Sequence, residues 1–388
     1  MNVFQATVSN RSYPPDTGGY QRIHGLVSGL DGVKFNVERY CCTGPISVLY
    51  SEGELISKSV NPESNVEEIR DYSLIYDIPK VINEFGLSRI PWQLIFKTPI
   101  RENILNRATS CDVAIGEDPY TAALLATRTE LPTVYSSHNV EYMRYESTHN
   151  NLLSDKLSNA IRHIEKVACQ HSDLVVCTTQ SDAEIFSSFS TDTCVIPNGI
   201  PKSRLSDNYE EVNIKQLGIS KDGDVAVFIG SNYYPNIEAA EWLINHWDES
   251  PRDCHLVLLG EMVDGIEQVH NRVHEVGYVD QLKPWLAMAD VGLNPAKIGG
   301  GSNIKLLEYF AAGLPVVSTQ FGASGFNIVD GENLVLSERK EFFDELSVLL
   351  SDPYLRERIG SAAFDTVQKE YTWEQLSNKL QKRLEGIL

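Results

Sequence analysis

Residues 296–319, AKIGGGSNIKLLEYFAAGLPVVST, crowd chemically useful groups into a short span. Gly299, Gly300 and Gly301 carry no side chains, so a ligand can approach their backbone closely. Ser302 or Asn303 would cap a following helix. Ile304, Leu307 and Phe310, with Ala311, recur at helical spacing and give that helix a buried face. Gly313 and then Pro315 suit its end, and residues 316–319 suit a short buried strand. A glycine loop opening into a helix gathers free N–H groups at the positive end of the helix dipole, which is chemistry for an anion. Lys305 adds a positive charge one turn in. Glu308, three residues on, adds a carboxylate on a neighbouring part of the helix surface.

The elements around this stretch alternate strand and helix. Residues 2–9 read as a strand leading into the glycine loop at Gly18 and Gly19, and residues 20–30 place Ile23, Leu26, Val27 and Leu30 on one helical face. Strand, glycine loop and helix open a Rossmann-like unit, although Gly-x-Gly-x-x-Gly is absent. Residues 34–41 read as a second strand, and 44–72 are polar and give no clear pattern. DVAIGED (112–118), TVYSSHN (133–139), DLVVCTT (173–179) and TCVIPNGI (193–200) continue as strands, the last ending in a Pro-Asn-Gly turn. Ser181, with Glu184 three residues later, reads as a capping box. The series then restarts with DVAVFIG (224–230), after a polar linker over 201–222.

These patterns predict an α/β chain of two doubly wound domains, 1–199 and 200–370, with a final helix over 371–388 that packs back on the first domain. Ligands in such sheets sit at the carboxyl ends of strands, so the cleft between the domains is the expected site.

Composition narrows the class. The 388 residues carry a net charge of −20, with 42% hydrophobic residues. Acidic residues exceed basic ones in both halves, which argues against nucleic acid as a partner. No apolar run is long enough for a membrane span, and the first residues lack a signal-peptide pattern. The seven scattered cysteines include no Cys-x-x-Cys pair and read as buried free thiols of a reducing cytoplasm. His270 and His274 have helical spacing, but the segment reads as strand, so no metal site is expected. Residues 88–110 are locally cationic and amphipathic. They suit either a helix packed on the sheet or peripheral contact with an anionic membrane face.

The chain resembles the group 1 (family 4) glycosyltransferases of the GT-B fold. The resemblance rests on Gly18-Gly19, SSHNVEYMRYE (136–146), VIPNGI (195–200), FIGSNYYPN (228–236) and the long run 277–319, and is strongest to members with a Gly-Gly-Gly-Ser/Thr loop before a Lys-x-x-Glu helix. It implies a retaining enzyme of glycan or polysaccharide biosynthesis. The donor is a nucleotide-diphosphate sugar held by the C-terminal domain. The acceptor is a glycan, glycolipid or lipid-linked molecule on the N-terminal domain. No bound cofactor or metal is implied.

The implied donor-binding residues are Gly19, Ser231, Gly300, Gly301, Ser302, Asn303, Ile304, Lys305 and Glu308, with Glu308 taking the ribose hydroxyls. His138 matches the catalytic cleft histidine, and Gly18 and Arg144 approach acceptor or phosphate. The sequence also departs from the pattern. Many relatives have a sugar-binding glutamate where this chain has Gly300, and a diphosphate-binding arginine where it has Ser231. The sugar contact then falls to backbone amides, Ser302, Asn303 or another residue, and the diphosphate charge to Lys305. Alternative readings are a non-catalytic GT-B module or subunit, and a nucleotide-sugar epimerase on the same fold.

Overall fold

In the computed structural model the chain divides into two compact α/β units, Met1–Gly199 with Trp373–Leu388, and Ile200–Thr372. The structure describes residues 1–8, 18–30, 35–41, 56–60, 66–71, 99–148, 154–190, 192–205, 212, 214–220, 223–263, 270–299 and 302–388.

The first unit runs β1 (Asn2–Thr7), α1 (Gly18–Ser28), β2 (Asn36–Cys41), β3 (Ile56–Val60), β4 (Val66–Asp71), α2 (Pro99–Ala108) and β5 (Val113–Gly116). It continues with α3 (Pro119–Arg128), β6 (Thr133–Ser136), α4 (Glu141–Thr148), α5 (Ser154–His171), β7 (Leu174–Cys177), α6 (Gln180–Phe186) and β8 (Thr193–Val195). The sheet order is β3-β4-β2-β1-β5-β6-β7-β8. Every neighbouring pair is parallel except β3 with β4. β5, β6 and β7 are buried along their whole length, which is why they read as apolar runs without alternation. From β1 the chain builds outward to β2 on one side and later to β5 on the other. The carboxyl ends of β1 and β5 therefore form a topological switch point.

The second unit runs β9 (Asp224–Ile229), α7 (Tyr234–Asn245), β10 (Cys254–Leu259), β11 (Val273–Gly277), α8 (Lys283–Ala287), β12 (Val291–Asn294), α9 (Lys305–Ala311), β13 (Val316–Ser318), β14 (Val335–Leu336), α10 (Phe342–Ser351) and α11 (Pro353–Glu370). Its sheet, β11-β10-β9-β12-β13-β14, is parallel throughout. Here the switch point lies between β9 and β12.

The last helix, α12 (Trp373–Ile387), belongs to the first unit. Its Ser377 hydroxyl donates to the carbonyl of Leu26 at 2.8 Å, and Trp373 lies against Gly25. A β-carbon at Gly25 would fall 2.2 Å from the Trp373 ring. Gly25→Ala should therefore displace α12 and cost about 1–3 kcal/mol of stability, read as a lower denaturant midpoint. An unchanged midpoint would show that the helix does not depend on this contact.

Several elements differ from the sequence reading. Gly18 and Gly19 are the first two residues of α1 rather than a loop. The cap of α6 is Thr179, whose hydroxyl accepts from the Asp182 amide, and Ser181 lies inside the helix. β3 and β4 fall in the polar stretch that gave no pattern. Lys202–Leu205 is a 3-10 turn of the second unit rather than linker. Of the stretch 88–110, residues 88–98 lie outside the described residues. The remainder forms α2, which buries Ile104 and Ala108 beside Phe4, Tyr40 and Leu124. No described helix is long and apolar enough to cross a membrane.

Candidate functional site

In the second unit, α9 begins after Ile304, whose backbone is already helical and whose side chain cannot cap. Neither Ser302 nor Asn303 caps it. The Ser302 carbonyl instead accepts from the Ile304 amide, and the Asn303 carbonyl from the Leu306 amide. Asn303 also turns its side-chain amide to the Phe321 carbonyl at 3.5 Å. With seven residues, α9 has a short dipole, and the site's positive charge comes from Lys305. The expected sharp stop is present: Gly313 has φ of 66°, and Leu314 N–H donates back to the Tyr309 carbonyl.

Lys305 is held by neutral groups. Its Nζ donates to Asn236 Oδ1 at 2.8 Å and lies 4.1 Å from the centre of the Phe228 ring. Burial lowers its pKa to about 7. Asn236, in the first turn of α7, donates in turn to the carbonyl and hydroxyl oxygens of Ser231, at 3.1 and 3.3 Å. Ser231 and Lys305, 74 positions apart by number, are thus joined through one amide at the carboxyl end of β9. Gly299, with φ of 144°, follows β12 where a side chain would meet Phe321 and Pro235. Gly300 and Gly301 lie outside the described residues.

Glu308 is 8% exposed. Burial raises its pKa, and Arg204, whose Nε lies 3.8 Å from Oε1, acts the other way. Arg339 ties the region together. It grips Glu238 of α7 with two bonds of 2.6 Å, donates to the Pro295 carbonyl at 2.8 Å and lies over Trp242.

In the first unit, His138 follows β6, and its Nε2 lies 3.0 Å from Oε2 of Glu117, which follows the neighbouring strand β5. Glu117 is fully buried. Burial pushes its pKa up, but hydrogen bonding and charge from His138, with Gln5 and Arg22, outweigh it, and the net shift is downward. Gly19 lies beside the other face of His138: a β-carbon there would be 3.5 Å from Nδ1. Gly18 shares the first turn of α1 with Gly19. Arg144 pairs with Glu141 on its own helix at 3.6 Å. Glu165 accepts from Tyr135 Oη and from the Glu141 amide, fixing the start of α4 just beyond His138.

The structure thus brings Ser231 and Lys305 together through Asn236, and His138 together with Gly19. Glu117, Asn236 and Arg204 were missed in the sequence. A carboxylate at the end of a buried strand was the available signal for Glu117. Among the described residues no group of three or more metal-ligating side chains is gathered. His274 pairs with His255, and His270 with Asp248.

Comparison with known proteins defines the class. Residues 223–352 match the family model described as "Glycosyl transferases group 1", and residues 35–204 match "Glycosyltransferase Family 4". Each model falls mainly on one unit, the family 4 domain on the first and the group 1 domain on the second. Among solved structures, sucrose-phosphate synthase from Thermosynechococcus elongatus superposes with a TM-score of 0.74 at 16% identity, over 100% of this chain and 99% of that one. The UDP complex of HepE from Anabaena superposes with a TM-score of 0.68 at 15% identity, over 100% of both chains. The fold is GT-B. In sequence, the lipopolysaccharide core biosynthesis glycosyltransferase LpsE of Rhizobium meliloti is 24% identical over 222 residues, 54% of this chain and 63% of that protein. The match thus spans less than two thirds of LpsE.

Proposed function

We propose that the protein is a retaining glycosyltransferase that moves a sugar from a nucleotide-diphosphate sugar to a glycan, glycolipid or lipid-linked acceptor. The observation that carries this reading is Lys305, a half-buried ammonium at the β9/β12 switch point whose described hydrogen-bond partner is neutral. Such a group stabilises charge that develops on a leaving diphosphate. Glu308 supplies a carboxylate able to accept two ribose hydroxyls. His138 faces the reacting sugar, and Gly18 and Arg144 serve the acceptor side. The domain matches support the class, and the similarity to LpsE, a lipopolysaccharide core biosynthesis glycosyltransferase, supports a surface-glycan acceptor.

The test is a panel of UDP-, GDP- and other nucleotide sugars, read by calorimetry and by slow donor hydrolysis. Saturable binding to one of them is expected, and binding to none would count heavily against the reading. Lys305 takes the role a metal would otherwise fill, so activity should persist in EDTA; loss restored by a divalent cation would refute that part. We place the enzyme in the cytoplasm, at the inner face of the cell membrane, through the positive charge of 88–110 alone, since α2 turns its apolar Ile104 and Ala108 into the core. Vesicle flotation should then recover more protein with anionic than with neutral lipid, and equal recovery would remove the membrane contact.

A further inference from the structure

His138 is anchored by a chain of buried polar groups that begins three strands away. Arg39 Nε donates to Gln5 Oε1 at 2.7 Å. A guanidinium has no acceptor, so this bond fixes which end of the Gln5 amide is oxygen. The Gln5 Nε2 group then donates to the Ile23 carbonyl at 2.9 Å and to Glu117 Oε1 at 2.5 Å. The second carboxylate oxygen, Oε2, meets His138 Nε2 at 3.0 Å. Gln5, Arg39 and Glu117 are all buried, so water does not substitute for any link. An ionised carboxylate only accepts, so Nε2 must carry a hydrogen. In the neutral ring Nδ1 is then a bare acceptor, and it lies on the side where Gly19 has no side chain.

We propose that Glu117 is the positioning residue that holds His138 in the Nε2–H tautomer, so that Nδ1 accepts a hydrogen bond from a sugar hydroxyl approaching past Gly19. The identity of the partner as a sugar hydroxyl rests on the glycosyl-transfer reading; the tautomer does not. Glu117 touches no substrate and acts through the ring it orients.

The network makes Glu117→Gln a sharp probe. Gln5 presents N–H to position 117, so the introduced amide must turn its oxygen to Gln5 and its NH2 to His138. That NH2 donates to Nε2 and forces the hydrogen onto Nδ1, the reverse of the native arrangement. Nitrogen-15 NMR of the imidazole reads this directly in the full chain without substrate. In its neutral imidazole the native protein should show Nε2–H with an unprotonated Nδ1, and Glu117→Gln should show the opposite. Turnover in the variant should fall by about 10- to 100-fold in kcat, while free nucleotide, which lacks the sugar, should bind as it does to the native protein. Gly19→Ala is the second variant. Its methyl would sit at an ordinary 3.5 Å from Nδ1, leaving the fold intact while blocking the approach, and it should lower kcat without changing the tautomer.

A neutral native His138 that carries its hydrogen on Nδ1, or a Glu117→Gln protein that keeps the native tautomer, would overturn the proposal. So would full turnover in Glu117→Gln despite a reversed tautomer. A native protein with the expected tautomer that transfers no sugar from any donor would instead overturn the glycosyl-transfer reading and leave the tautomer assignment standing.

Discussion

Lys305→Met should weaken binding of an intact nucleotide sugar by about 1.5–3 kcal/mol, or 10- to 100-fold, the usual range for a hydrogen bond to a charged group. Free nucleoside, which has no diphosphate, should bind both proteins equally. Methionine keeps the length of the chain and its contact with Phe228, so the substitution removes charge and little else. The fold should not suffer. Burial penalises the ammonium in the folded protein, and removing it should leave the denaturant midpoint near neutral pH unchanged or higher. Equal losses for nucleoside and nucleotide sugar would sink the diphosphate role, since they would indicate a distorted site rather than a missing charge.

The depressed pKa of Lys305, about 7, gives the same assignment a second signature. An anionic diphosphate favours the ammonium and raises its pKa in the complex. Below pH 7 the group is already charged in the free protein, so affinity is flat. Above pH 7 each binding event takes up a proton, and affinity falls by up to about tenfold per pH unit until the pKa of the complex is reached. The diester phosphates of a nucleotide sugar do not titrate in this window, unlike the terminal phosphate of a free diphosphate, so the intact donor is the proper probe. Lys305→Arg, charged throughout, should abolish the slope. A slope that survives in the arginine variant belongs to another group.

The contrast between Lys305 and its partners shows what was legible in the sequence. Lys305, Glu308 and Gly313 could be read because they belong to one local run whose spacing and stop signals are helical. His138 and Glu117 each end an apolar strand, but their contact depends on β5 and β6 being neighbours in the sheet, which no local pattern records. Asn236 lies 69 positions from Lys305 and is one of many helix-initiating polar residues until the switch point brings the two together. Arg204 was hidden for the opposite reason: a polar stretch after a Pro-Asn-Gly turn reads as linker, although one turn of it packs against α9. The doubly wound α/β class followed from alternation of strand and helix, since parallel neighbours joined by helices leave few arrangements. β3 and β4 escaped because charged residues interrupt them. The cap of α6 was misread because Thr179 and Ser181 are both competent hydroxyls, and a glutamate three residues after the second favoured the wrong one.

Glu308→Ala should weaken binding of a ribonucleotide by about 1.5–3 kcal/mol, and the loss should appear with nucleoside and nucleotide sugar alike, the reverse of the pattern at Lys305. The sharper readout is selectivity. A carboxylate that accepts from two ribose hydroxyls should make the native protein prefer the ribonucleotide over its 2′-deoxy counterpart, and the alanine variant should bind both with similar strength. Arg204 separates two versions of this role. Its guanidinium counters the effect of burial on Glu308 and helps keep the carboxylate ionised, as a strong acceptor must be. At 3.8 Å and partly exposed, the pair is loose and solvent-screened, so Arg204→Ala should cost little stability. It should nevertheless lower ribonucleotide affinity in the same direction as Glu308→Ala, most visibly at the acidic end of the accessible pH range. There the raised pKa of Glu308 brings protonation closest. If Glu308→Ala left the ribose preference intact, the hydroxyls would be held elsewhere, and Glu308 would be a buried helix carboxylate paired with Arg204 alone.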